Sequence, residues 1–91
     1  MHEIQLTDIV LSLAGRDKNQ LFYVLSIENG YAFLTDGKLR KISKPKKKKL
    51  KHLQFEAEAD PLVAEKLSRG DEVSDKEIRK QLAIYKSQRK A

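Results

Sequence analysis

The sequence predicts a mainly β domain, a small antiparallel barrel of about five strands, followed by two short C-terminal helices. Short runs rich in Val, Ile, Leu and aromatic residues follow one another through the first part of the chain. Turn dipeptides such as Asn29-Gly30 separate these runs. The composition then changes to helix-starting signals and an apolar stripe at helical spacing. We therefore expect a barrel over residues 1–55 and a helical appendage over residues 56–91.

The first two strands have clear apolar signals. Residues 8–14 are rich in Ile, Val and Leu, and residues 15–19 have the composition of a turn. The second strand, residues 20–28, alternates between two faces. One face would carry Phe22, Val24 and Ser26, and the other would carry Leu21, Tyr23, Leu25 and Ile27.

Two turn dipeptides organise the middle of the chain. Asn29-Gly30 predicts a type I′ hairpin, since that turn needs positive φ at both central residues, and residues 31–35 would form the returning strand. Asp36-Gly37 is predicted to be a second turn of the same kind. A short fourth strand with a bulge would then follow over Lys38 to Ile42.

The segment after this strand is dominated by lysine. Ser43 to Lys49 contains Pro45 and four consecutive lysines, so charge repulsion and the proline favour an extended loop. The apolar residues Leu50, Leu53 and Phe55 then predict a fifth short strand that returns to the core.

The C-terminal residues predict two helices, at about 61–69 and 75–89. Asp60 can cap the first helix, Pro61 suits its first position, and Gly70 ends it. Ser74 and Glu77 have capping-box spacing and open the second helix. One face of that helix is apolar and carries Ile78, Leu82 and Tyr85.

The net positive charge comes from one segment, Lys38 to His52. The chain has nineteen Lys/Arg and thirteen Asp/Glu, a formal net charge of +6. This segment holds nine of the cations and no acid, whereas residues 1–37 carry two cations and five acids, and residues 53–91 carry eight of each. Charge concentrated in this way indicates a polyanionic partner. From the lysine run alone, a solvated loop that keeps the protein soluble is an equal alternative.

The sequence lacks the residues that several classes of protein function require. The chain has no cysteine and only two histidines, so we expect neither a disulfide nor a zinc site. It has no Gly-x-Ser-x-Gly motif, phosphate loop or catalytic His–carboxylate pair, so we expect no enzyme activity and no cofactor. The longest apolar run, Leu21 to Leu25, is far shorter than a membrane span, and the N-terminus lacks the basic region of a signal peptide. We expect a soluble cytoplasmic protein.

Three motifs together resemble a known family: Gly15-Arg16-Asp17, Asp36-Gly37-Lys38-Leu39-Arg40-Lys41 and Pro45-Lys46-Lys47-Lys48. The pattern, with Val10 in the opening strand, resembles the bacterial KOW-domain RNA-binding proteins, which are similar to small SH3-like barrel proteins of the large ribosomal subunit. The resemblance covers residues 6–55, with the KOW motif over residues 6–40 and Gly15 as its glycine. It implies an SH3-like barrel that binds RNA, above all ribosomal RNA. Residues 56–91 match no part of the motif, and the family also includes barrels that bind proteins.

The candidate RNA-binding residues are mainly cations. Lysine or arginine placed on a phosphate releases counterions, and a guanidinium can also grip phosphate with two nitrogens or stack on a base. The predicted RNA-binding residues are Gly15, Arg16, Lys18, Lys38, Arg40, Lys41, Lys44, Lys46, Lys47, Lys48, Lys49, Lys51 and His52. Tyr23, Tyr31, Phe22 and Phe33 are expected mainly to fill the core of the small barrel. If one of them stacks on a base, Tyr31 is the best candidate because it lies beside a turn. Asp17 and Asp36 are predicted to accept backbone N–H groups in their turns.

These features favour a non-catalytic protein that binds ribosomal RNA or the ribosome through a lysine-rich loop. The alternative is a protein-interaction barrel of the transcription or translation machinery. In that case the face of Ile78, Leu82 and Tyr85 would dock a protein partner. Binding to a membrane surface would be weak, because no apolar face adjoins the lysine run.

Overall fold

A computed structural model describes residues 3–58, 61–70 and 72–89. Within these residues, five strands form one antiparallel sheet in the order β4-β3-β2-β1-β5, and two helices follow. The elements are β1 (Ile9–Ser12), β2 (Leu21–Glu28), β3 (Tyr31–Thr35), β4 (Lys46–Lys49), β5 (Leu53–Ala57), α1 (Pro61–Ser68) and α2 (Asp75–Arg89), with a short 3-10 helix (Leu50–His52) between β4 and β5. The predicted fold class, a small barrel-like β domain followed by two helices, is confirmed.

The Asn29-Gly30 turn is the hairpin that the sequence predicts. Asn29 has a φ of 50° and Gly30 a φ of 81°, as a type I′ turn requires. The strands on either side pair directly, with Glu28 opposite Tyr31. This hairpin fixes the register of β3, which in turn positions β4.

The fourth strand lies where the sequence predicts a loop. Lys46 to Lys49 pair with β3, whereas residues 38–42 form no strand. The prediction of a strand there and a loop over the lysines is therefore wrong. Lysine repulsion does not prevent pairing, because the long side chains carry their charges away from the backbone on alternating faces.

The loop over residues 36–40 is held by polar contacts instead of strand pairing. Asp36 Oδ1 accepts hydrogen bonds from the N–H groups of Lys38 (2.8 Å) and Arg40 (2.9 Å). Thr35 donates its hydroxyl to the carbonyl of Arg40. Asp36 thus accepts backbone N–H groups as predicted, but the segment is not a second hairpin turn.

A bulge in β2 changes which side chains face the barrel interior. The register with β3 shifts between Val24 and Ser26. Phe22 and Val24 face the interior, and Ile27 also packs there. The alternation predicted for the whole strand places Ile27 on the opposite face and is wrong past Val24, because the extra residue inverts the pattern.

Two apolar clusters lie on opposite faces of the sheet. The interior cluster contains Val10, Phe22, Val24, Ala32, Leu34 and Leu53. The outer cluster joins the strands to the helices and contains Ile9, Leu11, Leu21, Tyr23, Val63, Ile78 and Leu82. β1 is consequently buried on both faces.

The helices pack on the barrel through the apolar face of α2. Ile78 is fully buried, Leu82 is 4% exposed and Tyr85 packs against the same cluster. Burying an aliphatic side chain in this way contributes about 1.5–3 kcal/mol. The expected use of this face as a docking surface for another protein conflicts with its burial inside the chain.

The helix boundaries agree with those predicted, and half of the capping box forms. Glu77 donates its backbone N–H to Ser74 Oγ (3.1 Å), but its carboxylate pairs with Lys66 Nζ (3.1 Å) of α1 instead of returning to the cap. Gly70 ends α1 with a φ of 78°. The predicted cap Asp60 lies outside the described residues.

The start of α2 is fixed to the loop over residues 36–40. Asp75 Oδ1 accepts the N–H of Ile42 (2.8 Å), and Arg79 Nη1 donates to the carbonyl of Gly37 (2.6 Å). A Cβ on Gly37 would collide with the Asp75 carbonyl, and Gly37 also has a φ of 73°. Only glycine allows both this backbone angle and this close approach.

Candidate nucleic-acid interface

The four lysines of β4 divide into two pairs because successive strand residues face opposite sides. Lys46 and Lys48 lie opposite Leu34 and Ala32, which are fully buried in the barrel interior. Lys47 and Lys49 point to the other side and are exposed. We call Lys46 and Lys48 the inward lysines, and Lys47 and Lys49 the outward lysines.

The inward lysines are paired with Asp17. Lys48 Nζ lies 2.6 Å from Asp17 Oδ1, and Lys46 Nζ lies 2.5 Å from Oδ2. Lys48 also donates to the carbonyl of Ala14 (2.6 Å), and Ser12 donates its hydroxyl to Asp17 Oδ1 (2.6 Å). The side chains of Lys48 and Asp17 are each 9% exposed, against 28% for Lys46. This group is a largely buried ion-pair cluster at one end of the barrel.

The charge of Asp17 is stabilised by these contacts. Burial by itself raises the pKa of this carboxyl, but hydrogen bonds from Lys46, Lys48 and Ser12 outweigh burial and hold the pKa well below its ordinary value of 3.8. Asp17 therefore differs from the turn-capping role predicted for it, because its carboxylate accepts from three side chains. The positive charge of Lys48 is correspondingly used within the chain.

The outward lysines lie beside two half-buried aromatic residues of β3. Tyr31 is opposite Lys49 and Phe33 is opposite Lys47. Lys47 Nζ lies 4.5 Å from the centroid of the Tyr31 ring, a cation–π contact. We call Tyr31, Phe33, Lys47 and Lys49 the aromatic–lysine face. One acid, Glu28, borders it as the exposed partner of Tyr31 in β2.

Two predicted arginines come together in the folded chain. Arg16 and Arg40 line a shallow cavity of about 250 Å³ together with Lys46. Asp17 and Asp36 also line it, so the cations there are balanced in part by acids. The structure thus brings together the Gly-Arg-Asp turn and the basic loop, which are separate in sequence.

Lys38 lies in a larger groove of about 710 Å³ between the loop and α2. Arg79 and Lys86 of α2 complete its basic lining. These two residues are absent from the sequence-based candidates. Their spacing of seven residues, which places both on one helix face, is the signal that could have identified them.

The remaining predicted residues are not gathered at one place. Lys18, Lys41, Lys44 and Lys51 are exposed and line neither cavity, and His52 is half-buried in the 3-10 helix. The carbonyl of His52 accepts from the N–H of Leu13 (2.9 Å), which ties this helix to the end of β1. Gly15 has a φ of 87°, and a Cβ there would lie 3.4 Å from Lys48 Nζ, so its role is in the backbone of the Asp17 cluster.

No protein-family model matches this chain, and no curated protein matches it significantly. In the described ranges, no three His, Cys, Asp or Glu side chains come together in a way that could hold a metal ion. Neither of the helices described has the length and apolar character needed to cross a membrane.

Proposed function

We propose that this protein is a non-catalytic RNA-binding module that holds an unpaired stretch of RNA on its aromatic–lysine face. The observation that carries the proposal is the placement of Lys47 over the Tyr31 ring, with Lys49 directly opposite Tyr31. Aromatic rings bind bases and neighbouring cations bind the phosphates between them, which is the usual arrangement for single-stranded nucleic acid.

The energies favour displacement of Lys47 from the ring by a base. An exposed cation–π contact stabilises by about 0.5–1 kcal/mol, whereas stacking of a base on an aromatic side chain contributes about 1–3 kcal/mol. The released ammonium of Lys47 is then close enough to the ring to meet the phosphate of the stacked nucleotide. The contact in the free protein therefore holds the lysine near the place where the RNA backbone passes.

Unpaired RNA suits this face better than a duplex. The surface of β3 and β4 offers flat rings and cations. A base can stack on such a ring only when it is not already stacked within an RNA duplex. The resemblance of residues 6–55 to KOW-domain barrels supports ribosomal RNA as the target. A protein partner is disfavoured, since the apolar face of α2 that would bind it is buried.

Fluorescence anisotropy with a labelled, unstructured RNA of about twelve nucleotides tests the proposal. We expect Tyr31→Ala to weaken binding about tenfold, which corresponds to about 1.4 kcal/mol and lies within the range for one stacked base. Tyr31→Phe keeps the ring and should bind within about twofold of the wild type.

The same RNA annealed to its complement is the control for base stacking, and circular dichroism verifies that both variants fold. Equal affinity for single-stranded and duplex RNA would overturn the proposal. So would unchanged binding by Tyr31→Ala. Binding of an acidic protein but of no RNA would point to the protein-interaction alternative.

A further inference from the structure

The groove between α2 and the loop over residues 36–40 is distinct from the aromatic–lysine face, because the two have no lining residue in common. Its volume of about 710 Å³ lies within the range of roughly 300–1,000 Å³ that is typical of small-ligand pockets. The cations Lys38, Arg79 and Lys86 line one part of it. Their convergence from two separate elements is the first sign of an anion site.

The charge balance of the lining favours an anion. Among the residues described, Asp36 is the one acid that lines the groove, against three cations. Its Oδ1 already accepts two backbone N–H groups, at 2.8 and 2.9 Å, which offset part of its negative charge. The lining thus carries a net charge of +2, from three cations and one acid.

The groove also has an apolar part, formed by Leu39 on the loop and by α2 on the opposite wall. Leu39 is 78% exposed at the tip of the loop. Across the groove, α2 contributes Leu82 and Ala83. The flat face of a nucleobase can pack on this exposed leucine, and removing its side chain from water against the base is favourable.

The geometry of the groove is fixed before any ligand binds. Arg79 donates an N–H of its guanidinium to the Gly37 carbonyl, and Asp75 accepts a hydrogen bond from the N–H of Ile42. These bonds fasten the loop to α2, so binding does not have to order either wall. A guanidinium has five N–H donors, which leaves Arg79 donors for a phosphate.

We infer that this groove binds one unpaired nucleotide of the RNA, with its base between Leu39 and α2 and its phosphate at Lys38, Arg79 and Lys86. The inference rests on the proposed RNA-binding function and adds a second, separate contact. Leu39 also lines the 250 Å³ cavity that contains Arg16 and Arg40. The phosphates of the neighbouring nucleotides in the RNA would therefore meet Arg16 and Arg40 on the far side of Leu39.

The amide side chains of Asn19 and Gln20 line the same groove and are exposed. An amide can both donate to and accept from a base edge. The groove is therefore the part of the surface where one base could be preferred over another, whereas stacking on Tyr31 tolerates any base.

Two measurements test the inference. In the first, amide chemical shifts of the labelled full-length chain are followed during titration with each of the four nucleoside monophosphates and, separately, with inorganic phosphate. We expect the nucleotides to shift residues 38–40 and 79–86 and phosphate alone to shift them less, because phosphate lacks the base. In the second, the RNA affinities of Leu39→Ala and Lys86→Ala are compared with that of Lys80→Ala.

Lys80 is the matched control because it is an exposed lysine of the same helix that does not line the groove. We expect Leu39→Ala and Lys86→Ala each to weaken RNA binding about fivefold, and Lys80→Ala to change it less than about twofold. Leu39 and Lys86 are both exposed, so these variants should fold as the wild type does.

The outcomes separate the two proposals. If Tyr31→Ala weakens RNA binding while Leu39→Ala and Lys86→Ala do not, the groove inference is wrong and the proposed function stands. If no RNA binds the wild type, the proposed function fails and the inference fails with it, because the groove is proposed to hold a nucleotide of the bound RNA. Larger groove shifts with a polyglutamate peptide than with nucleotides would also overturn it, in favour of a protein site.

Discussion

Four identical residues in a row, Lys46 to Lys49, occupy two different environments. The inward lysines are paired with Asp17, and the side chain of Lys48 is 9% exposed. The outward lysines are exposed and lie beside Tyr31 and Phe33. All four residues are lysines, so the difference between the two pairs comes only from the alternation of side chains along the strand.

When a run of lysines forms a strand, only about half of the side chains are available to a ligand, although the sequence suggests that all of them are. The inward lysines satisfy an acid from a distant turn and contribute to stability. The outward lysines stabilise little and are available to a ligand. Substitutions of the two pairs, and of the acids beside them, should therefore differ in their effects on stability and on binding.

The largest effect should come from removing the acid that holds the inward lysines. We expect Asp17→Ala to lower the free energy of unfolding by about 3 kcal/mol, because it leaves a nearly buried ammonium without its counter-charge. Urea unfolding followed by circular dichroism measures the change. Glu28→Ala removes an exposed carboxylate and is the control, with an expected change below about 0.5 kcal/mol. Equal effects of the two substitutions would contradict the division.

Acid should weaken the same cluster. The folded-state pKa of Asp17 lies below its ordinary value of 3.8, so the stability that it contributes is fully present above that value and is lost as the pH falls toward the folded-state pKa. Urea unfolding between about pH 5 and about pH 2 should therefore show a steeper loss of stability for the wild type than for Asp17→Asn. Parallel pH profiles would show that Asp17 is not the group responsible.

The outward lysines should affect binding and leave stability nearly unchanged. We expect the double substitution of Lys47 and Lys49 by alanine to weaken binding of single-stranded RNA about tenfold and to reduce the log–log salt slope by about 1.4, about 0.7 for each lost phosphate contact. The free energy of unfolding should change by less than about 0.5 kcal/mol.

The reverse pattern is expected for the inward pair. Alanine at Lys46 and Lys48 should lower stability, because Asp17 then loses both cations, and should change the salt slope less than the outward double variant does. A larger loss of RNA affinity from the inward pair than from the outward pair would contradict the assignment of the interface.

The smallest effect should come from the acid that borders the aromatic–lysine face. Glu28 is the exposed cross-strand partner of Tyr31, so its charge opposes a phosphate there. We expect Glu28→Gln to tighten RNA binding about twofold in low salt, an effect that added salt should abolish by screening. Glu72→Gln, which removes an exposed acid between the helices, should leave the affinity unchanged.

Local signals in the sequence predict the elements that local interactions determine. Asn29-Gly30 needs its particular backbone angles, and the sequence predicts that hairpin correctly. The bounds of α2 follow from Ser74 and from the apolar spacing of Ile78 and Leu82. The overall fold class follows from the number and spacing of such elements.

Long-range contacts determine what the sequence does not predict. β4 forms because β3 offers it an edge, and a run of lysines has no strand preference of its own. Asp17 meets Lys48 across 31 residues, a pairing that neither turn nor strand reveals. The bulge at Leu25 likewise depends on how β2 fits β3.

The candidate site follows the same rule. Tyr31 lies beside the turn, as the sequence indicates, and it is half-buried next to the outward lysines. Which lysines are available depends on the register of β4, and the contribution of Arg79 and Lys86 depends on where α2 packs. The seven-residue spacing of Arg79 and Lys86 indicates that they share a helix face, but it does not indicate which groove that face lines.

The position of β4 in the sheet also affects how copies of the protein meet. β4 is an outermost strand, with β3 on one side and no strand on the other among the residues described. An outer strand normally invites another chain to extend the sheet, and lysines there oppose this by repelling an identical strand. The exposed charges of the outward lysines thus oppose self-association, and a bound polyanion that neutralises them would remove this repulsion while itself covering the outer strand.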